Sequence, residues 1–164
     1  MPRRLNSKPW PENSAYEIEA PRKLKELCQR LGIAEHVRFI GKRVVEDIYR
    51  DYLLAADVAV QLRTHRLGGL SGALLDCIAV GLPTVANADL ANAMEAPTYV
   101  SGVADSLSPV LIANALVDLI ERFHGRERPN EERLVFSESH DFRTYALRLC
   151  EALALDVPPK SIAS

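Results

Sequence analysis

The chain has 164 residues, 48% of them hydrophobic and 26% charged, with a formal net charge of −2. That suffices for one soluble domain with a real core, and the near-neutral balance gives no nucleic-acid footprint. No apolar run approaches the roughly 20 residues of a membrane helix, and the opening MPRRLNSKPWPENS has arginines without the apolar stretch of a secretory leader.

The first 14 residues hold three prolines and little apolar material, so residues 1–15 read as an irregular arm, with Trp10 as packing. From Pro21 the segment PRKLKELCQRLG places Leu24, Leu27, Cys28 and Leu31 on one helical face, and Gly32 as its C-terminal cap. Pro21 argues for a helix start near Ala20 rather than at Ser14. HVRFIG (36–41) reads as a short strand. VVEDIYRDYLLAA (44–56) repeats apolar residues at three and four, as an amphipathic helix does, with Tyr49 and Tyr52 as its core and rim. DVAVQL (57–62) is apolar enough for a strand buried on both faces. Residues 72–80 read as a helix and LPTVAN (82–87) as a strand with its proline at the entrance. DLANAMEA is a short helix or turn, and TYVSG a weaker strand. Ser108 and Pro109 open a helix to about Phe123, through a hydroxyl cap and a proline at the first helical position. RERPNEER reads as a solvated connection, a short helix covers 130–138, and Asp141 caps a last helix to Leu155. The domain is thus expected over 16–156, with a tail at 157–164. Helices and strands alternate, which predicts an α/β fold with a parallel sheet.

Chemistry concentrates between Asp57 and Asn87: DVAVQLRTHRLGGLSGALLDCIAVGLPTVAN. Gly68, Gly69 and Gly72 strip side chains from the backbone where it enters a helix at the end of a strand. Free amides and the positive end of the helix dipole make such a place an anion site, at the strand end where doubly wound sheets bind ligands. Arg63, His65 and Arg66 add positive charge, and Ser71 can cap the helix or donate to a phosphate. Asp76 is the one polar residue from Ala73 to Val80, so its carboxylate must be hydrogen-bonded, ion-paired or turned into a cleft. It lies five residues below Ser71, about 7.5 Å along the axis at 1.5 Å per residue. That is the reach from a bound phosphate to a neighbouring ribose, and the pattern describes a nucleotide diphosphate. The plainer alternatives are glycines serving tight turns, solvated arginines, and an Asp76 satisfied by a nearby amide or arginine.

At this point the chain resembles the C-terminal, donor-binding domain of a GT-B glycosyltransferase of the retaining family four (glycogen-synthase-like) type. KLKELCQRLGIAEHVRFIGK is similar to that family's helix and V-x-F-x-G strand, IYRDYLLAADVAVQLR to its ADV segment, and GGLSGALLDCIAVGLPTVAN to its glutamate-rich signature. The likeness spans roughly residues 20–155. It implies a partial Rossmann-like three-layer fold and transfer of a hexosyl group from a nucleotide-diphosphate sugar, without cofactor or metal. Asp76 stands where the family's ribose-binding glutamate is implied. Gly68, Gly69, Leu70, Ser71 and Gly72 match the loop contacting sugar and diphosphate, and Gly41 and Lys42 the turn near the base. Arg63 matches an arginine of a bacterial subgroup, with no role assigned, and no catalytic residue is identified.

The departures are specific. A glycine, Gly68 or Gly69, stands where the family has the glutamate that contacts the donor sugar. Aspartate replaces glutamate at 76. The first two strands of the family's domain, which lie between the 36–41 and 57–62 strands, and its basic pair have no counterpart, nor does the acceptor-binding domain. The chain alone is therefore expected to be inactive, and either to self-associate or to be completed by a missing domain or another chain. A non-catalytic nucleotide-binding or partner module is the alternative, and an epimerase-like enzyme of similar fold a third. Cys28, Cys77 and Cys150 form no CxxC pair, so reduced thiols and a cytoplasmic place are expected, with a peripheral membrane position left open. Glu95, His36, His124 and His140 read as surface or capping residues.

Overall fold

A computed structural model describes residues 15–40, 44–63, 70–104 and 108–154. The chain divides into two compact units, Met1–Val45 and Glu46–Ser164. In the first unit, helix α1 (Ala15–Arg30) ends in a left-handed Gly32 at φ +69°, as expected. The Gly32 amide reaches the Gln29 carbonyl and the Ile33 amide the Cys28 carbonyl, at 3.1 and 3.0 Å. These two bonds close the helix in the Schellman arrangement. The helix does not wait for Ala20; it runs through Pro21. A proline inside a helix removes one donor and crowds the carbonyl four residues back, while its fixed φ stays near the helical value. The expected strand at 36–41 does not form: Ala34–His36 is a 3-10 turn, and residues 37–40 belong to no sheet. Val37 has an extended backbone, but a strand exists only through a neighbour that takes up its amides and carbonyls.

The second unit carries a partial Rossmann-like sheet. Helix α2 (Glu46–Ala55) leads to strand β1 (Ala59–Gln61), helix α3 (Gly72–Ala79), strand β2 (Thr84–Asn87), helix α4 (Ala88–Ala93) and strand β3 (Val100–Val103). Helices α5 (Pro109–Phe123), α6 (Asn130–Ser139) and α7 (Phe142–Ala152) follow. The three strands pair in parallel in the order β1-β2-β3, with Val60 opposite Val85 and Val85 opposite Ser101. On one face of the sheet Leu74, Ile78, Ala86, Met94 and Tyr99 form a buried cluster; on the other Val85, Val103 and Leu119 do. Helices α3 and α4 thus cover one face and α5 the other, giving three layers. The Tyr99 phenol donates to the Ile78 carbonyl at 2.9 Å, and burial pushes its pKa up to about 12.

Three further expectations need correction. Strand β1 is not buried on both faces, since Val60 is 44% exposed. Among the described residues β1 pairs with β2 alone, and an edge strand keeps one side open. Ser108 takes the N-cap place and Pro109 the first helical position of α5, but the Ser108 hydroxyl caps nothing. Asp141 does cap α7, accepting the Thr144 amide at 2.6 Å, a bond that holds its carboxyl below the usual range. Glu95 is exposed, as expected, and takes the left-handed position after α4 at φ 48°.

The third correction concerns RERPNEER, which is not merely a solvated link. Arg128 donates through Nη1 to the Val80 carbonyl at 2.9 Å. Its Nη2 serves the carbonyls of Leu53, Leu54 and Ala56 at 2.9, 2.7 and 3.0 Å. One half-buried guanidinium therefore closes the carboxyl ends of both α2 and α3, neither of which has a basic residue in its own last turn. Cations are favoured there because the last carbonyls are unpaired and carry the negative end of the helix dipole. Close by, Gly81 holds φ +66° and a Cβ on it would meet the Arg128 and Arg133 side chains at 3.5 Å. In the same run Glu132 accepts from both the amide and the hydroxyl of Thr98, at 2.9 and 2.8 Å.

Replacing Arg128 by alanine strands these carbonyls and should cost about 3 kcal/mol of unfolding free energy. Lysine should recover less than half, because a point charge cannot fork between two helix ends. Urea unfolding of both variants checks this; an Arg128→Ala protein as stable as the parent would contradict it.

Candidate functional site

The carboxyl ends of β1 and β2 and the start of α3 come together in the second unit. Ser71 is the N-cap of α3, with extended backbone and an Oγ that accepts the Leu74 amide at 3.3 Å. It is 3% exposed. Of the two uses open to Ser71 in the sequence, capping is the one present, and the bond uses a lone pair rather than its proton. The amides of Gly72 and Ala73, in the first turn, have no acceptor within the helix. Gly72 is exposed, and among the described residues no heavy atom lies within 4 Å of where its Cβ would be. The packing of the described residues therefore does not require glycine there.

Asp76 follows Gly72 by four residues, so both occupy one face of α3, and both are exposed. The carboxylate is thus not buried, although Leu74, Cys77 and Ile78 around it are. It is hydrogen-bonded: the Tyr49 phenol of α2 donates to Asp76 Oδ2 at 3.1 Å. Tyr49 is not a core residue as its spacing suggested; it is half-buried, and α2 has no buried residue. Partial burial, and then the Asp76 carboxylate, raise the Tyr49 pKa, so the phenol stays protonated at neutral pH. The neighbouring Cys77 thiol is pushed up by burial and is inert as a nucleophile.

Arg63 gains a structural description that its sequence context lacked. Its amide donates to Asn87 Oδ1 at 2.7 Å, and Asn87 Nδ2 donates to its carbonyl at 3.2 Å. The side-chain amide of Asn87, 6% exposed at the end of β2, thereby imitates one more rung beyond β1. The Arg63 guanidinium donates from Nη2 to the Leu70 carbonyl at 3.3 Å. Arg63 thus ties together the two ends of the loop and sets its charge next to the α3 start. Leu70 itself is 67% exposed.

The structure therefore brings together Arg63, Leu70, Ser71, Gly72 and Asp76. Gly41, Lys42, His65, Arg66, Gly68 and Gly69 lie outside the described residues. Sequence reasoning missed Asn87 and the Tyr49–Asp76 bond. Asn87 had one signal, a lone amide ending an otherwise apolar strand; the Tyr49 partnership spans 27 residues and had none. A cleft of about 220 Å³ lies elsewhere, at the amino ends of the strands, where Asp57, Pro83, Phe123 and His124 meet. It lies at the end of the strands opposite the α3 start and is also lined by Arg126, Glu127 and Arg128. His140 caps α6 and stacks on Phe136 at 4.0 Å between ring centres. Among the described residues there is no group of three or more metal-ligating side chains, and no helix is long and apolar enough to cross a membrane. All three cysteines are free thiols.

A family model described as glycosyl transferases group 1 matches residues 15–122, which include every candidate residue above. No curated protein matches the chain, and no solved structure does.

Asn87→Leu keeps the side-chain volume and removes both bonds to Arg63. The unpaired backbone groups should cost about 2 kcal/mol in chemical unfolding. A variant within about 0.5 kcal/mol of the parent, the usual range for a neutral surface change, would show that the clamp contributes nothing.

Proposed function

Because the chain belongs to the group 1 glycosyl transferases, we propose that it holds a nucleotide-diphosphate sugar at the start of α3, for a hexosyl transfer that retains anomeric configuration. The observation that carries this reading is the open helix start itself. Gly72 and Asp76 share one exposed face, first-turn amides without a partner inside the helix lie at its top, and the Arg63 guanidinium is anchored at Leu70. A diphosphate at the amides places the next ribose beside Asp76. Charge developing on the departing diphosphate is then stabilised by those amides and by Arg63 and Arg66. This set supplies the positive charge without a metal or other cofactor. Ser71, capped onto Leu74, keeps its proton for a phosphate oxygen. By the family resemblance alone, Gly68 and Gly69 are assigned to the sugar and Gly41 and Lys42 to the base.

The acceptor wall of the cleft belongs, in this reading, to a further domain or a completing chain, and the chain alone binds donor without turnover. Among the described residues β1 pairs with β2 alone and Val60 is exposed, which supports a partner along that side. The same edge favours a second reading, a nucleotide-binding partner module without catalysis. Reduced thiols and a sugar-nucleotide substrate accord with a cytoplasmic place.

Calorimetric titration with UDP, GDP and ADP tests the donor site: one of them should bind at micromolar to submillimolar strength, and Asp76→Ala should weaken it by about tenfold, a loss of roughly 1.4 kcal/mol. No binding by the chain, alone or joined to an acceptor domain, would discard the reading. Light scattering tests the open edge. A concentration-dependent rise above the monomer mass is expected, and a monodisperse, cooperatively melting monomer would contradict it.

A further inference from the structure

We propose that the cleft at the amino ends of the strands is a second binding site, for a free amino acid with an apolar side chain, held as its zwitterion. The site is separate from the α3 start, and the inference does not rest on the donor-site reading.

The cleft is built from three places in the second unit. Asp57 precedes β1, Pro83 precedes β2, and the end of α5 with the turn after it supplies the rest. That turn is held at both ends. The Arg126 amide donates to the Phe123 carbonyl at 3.0 Å, beside a left-handed Gly125 at φ +68°. Two residues on, Arg128 is engaged by the carbonyls of Leu53, Leu54, Ala56 and Val80. A wall fixed in this way is formed in advance, which spares a ligand the cost of ordering it.

Its chemistry is divided. Pro83, Leu119, Ile120 and Phe123 supply an apolar floor, of which Pro83 and Leu119 are buried. Asp57, His124, Arg126 and Glu127 stand exposed around it. Among the described residues no hydrogen bond or ion pair engages any of these four side chains. Arg128 is occupied by backbone carbonyls, so Arg126 is the guanidinium left for a ligand. A simple anion in the cleft would meet the Asp57 and Glu127 carboxylates, and a simple cation would meet Arg126. A metal ion finds no group of three ligating side chains among the described residues. A small molecule with both charges satisfies both sides. Its carboxylate pairs with Arg126, in the forked geometry guanidinium groups favour. Its ammonium pairs with Asp57 or Glu127, next to the carboxyl end of α5, where positive charge is favoured. An apolar side chain then covers the floor. The volume agrees: about 220 Å³ falls below the roughly 300 Å³ at which sites for drug-sized ligands begin, and suits an amino acid rather than a nucleotide.

Calorimetry on the full chain tests this with L-leucine and L-phenylalanine, each beside the matching amine and the matching carboxylic acid that lack one of its two charges. At least one of the amino acids should bind about tenfold tighter than either of its analogues, the value of one charge-assisted hydrogen bond. Arg126→Gln should weaken the amino acid and the acid by about tenfold and leave the amine unchanged. The double variant Asp57→Asn/Glu127→Gln should do the reverse. Both variants should melt as the parent does, because the replaced side chains are exposed and bond to nothing among the described residues. Equal weakening of amine and acid by either variant would overturn the proposal, as would failure of both amino acids to bind. Should a variant fail to fold, the parent decides: equal affinity for amino acid, amine and acid overturns the site, and a penalty for each lost charge upholds it. Saturating UDP, GDP or ADP should leave amino-acid binding unchanged; mutually exclusive binding would put both ligands at one place and overturn the second site.

Discussion

Two helices that end side by side with unpaired carbonyls present a problem neither can solve from its own sequence. Here α2 and α3 both finish without a basic residue in the last turn, and Arg128 arrives from the connection after α5 to serve both. The guanidinium is suited to this because its donors form a rigid fork, so one charge satisfies carbonyls from two directions. The consequence reaches beyond stability. The same guanidinium links the carboxyl ends of the two helices that carry Tyr49 and Asp76. Gly81 supports the same place, since its left-handed backbone at φ +66° turns the chain sharply toward β2 beside the Arg128 and Arg133 side chains.

The opposite end of α3 is built by a second long-range device. Asn87, at the end of the central strand, pairs with both backbone groups of Arg63, and Arg63 then reaches Leu70. Both ends of the loop are thereby referred to the sheet rather than left to the loop's own preferences. Ser71 completes the start of the helix locally. The site is therefore a set of backbone amides and one carboxylate face, positioned by a core strand and closed at the far end by Arg128. Such a scaffold suits a ligand that is an anion at one end and a polyol at the other, because it presents oriented dipoles in place of mobile charges.

Much of this was legible in the residues, for local reasons. The Gly32 cap, the α3 start at Ser71 and Gly72, the proline opening α5 and the Asp141 cap each depend on a few adjacent positions, and each appears as expected. The parallel α/β arrangement also followed from alternation alone. What the sequence hid depends on distant partners. Residues 36–41 have the apolar pattern of a strand, yet pattern cannot supply a neighbour, and residues 37–40 carry no strand. The helical period placed Tyr49 on a buried stripe but could not show that its hydroxyl meets a carboxylate 27 residues away. Arg128 sits in a run of charges that looks solvated until two helix ends are brought beside it. Asp76 shows the same limit in reverse. Its apolar surroundings in sequence suggested burial, but three of the eight α3 residues, Leu74, Cys77 and Ile78, fill the core face, and the carboxylate occupies the other.

The central claim is that ligand binds at the open start of α3, and amide chemical shifts test it most directly. In a titration of the nitrogen-15-labelled chain with the best-binding nucleoside diphosphate, the amides of Gly72, Ala73 and Leu74 and the side-chain amide of Asn87 should move first and saturate together. Shifts confined to the cleft at Asp57, Pro83 and His124, or a saturating ligand that leaves the α3 amides unmoved, would contradict the account.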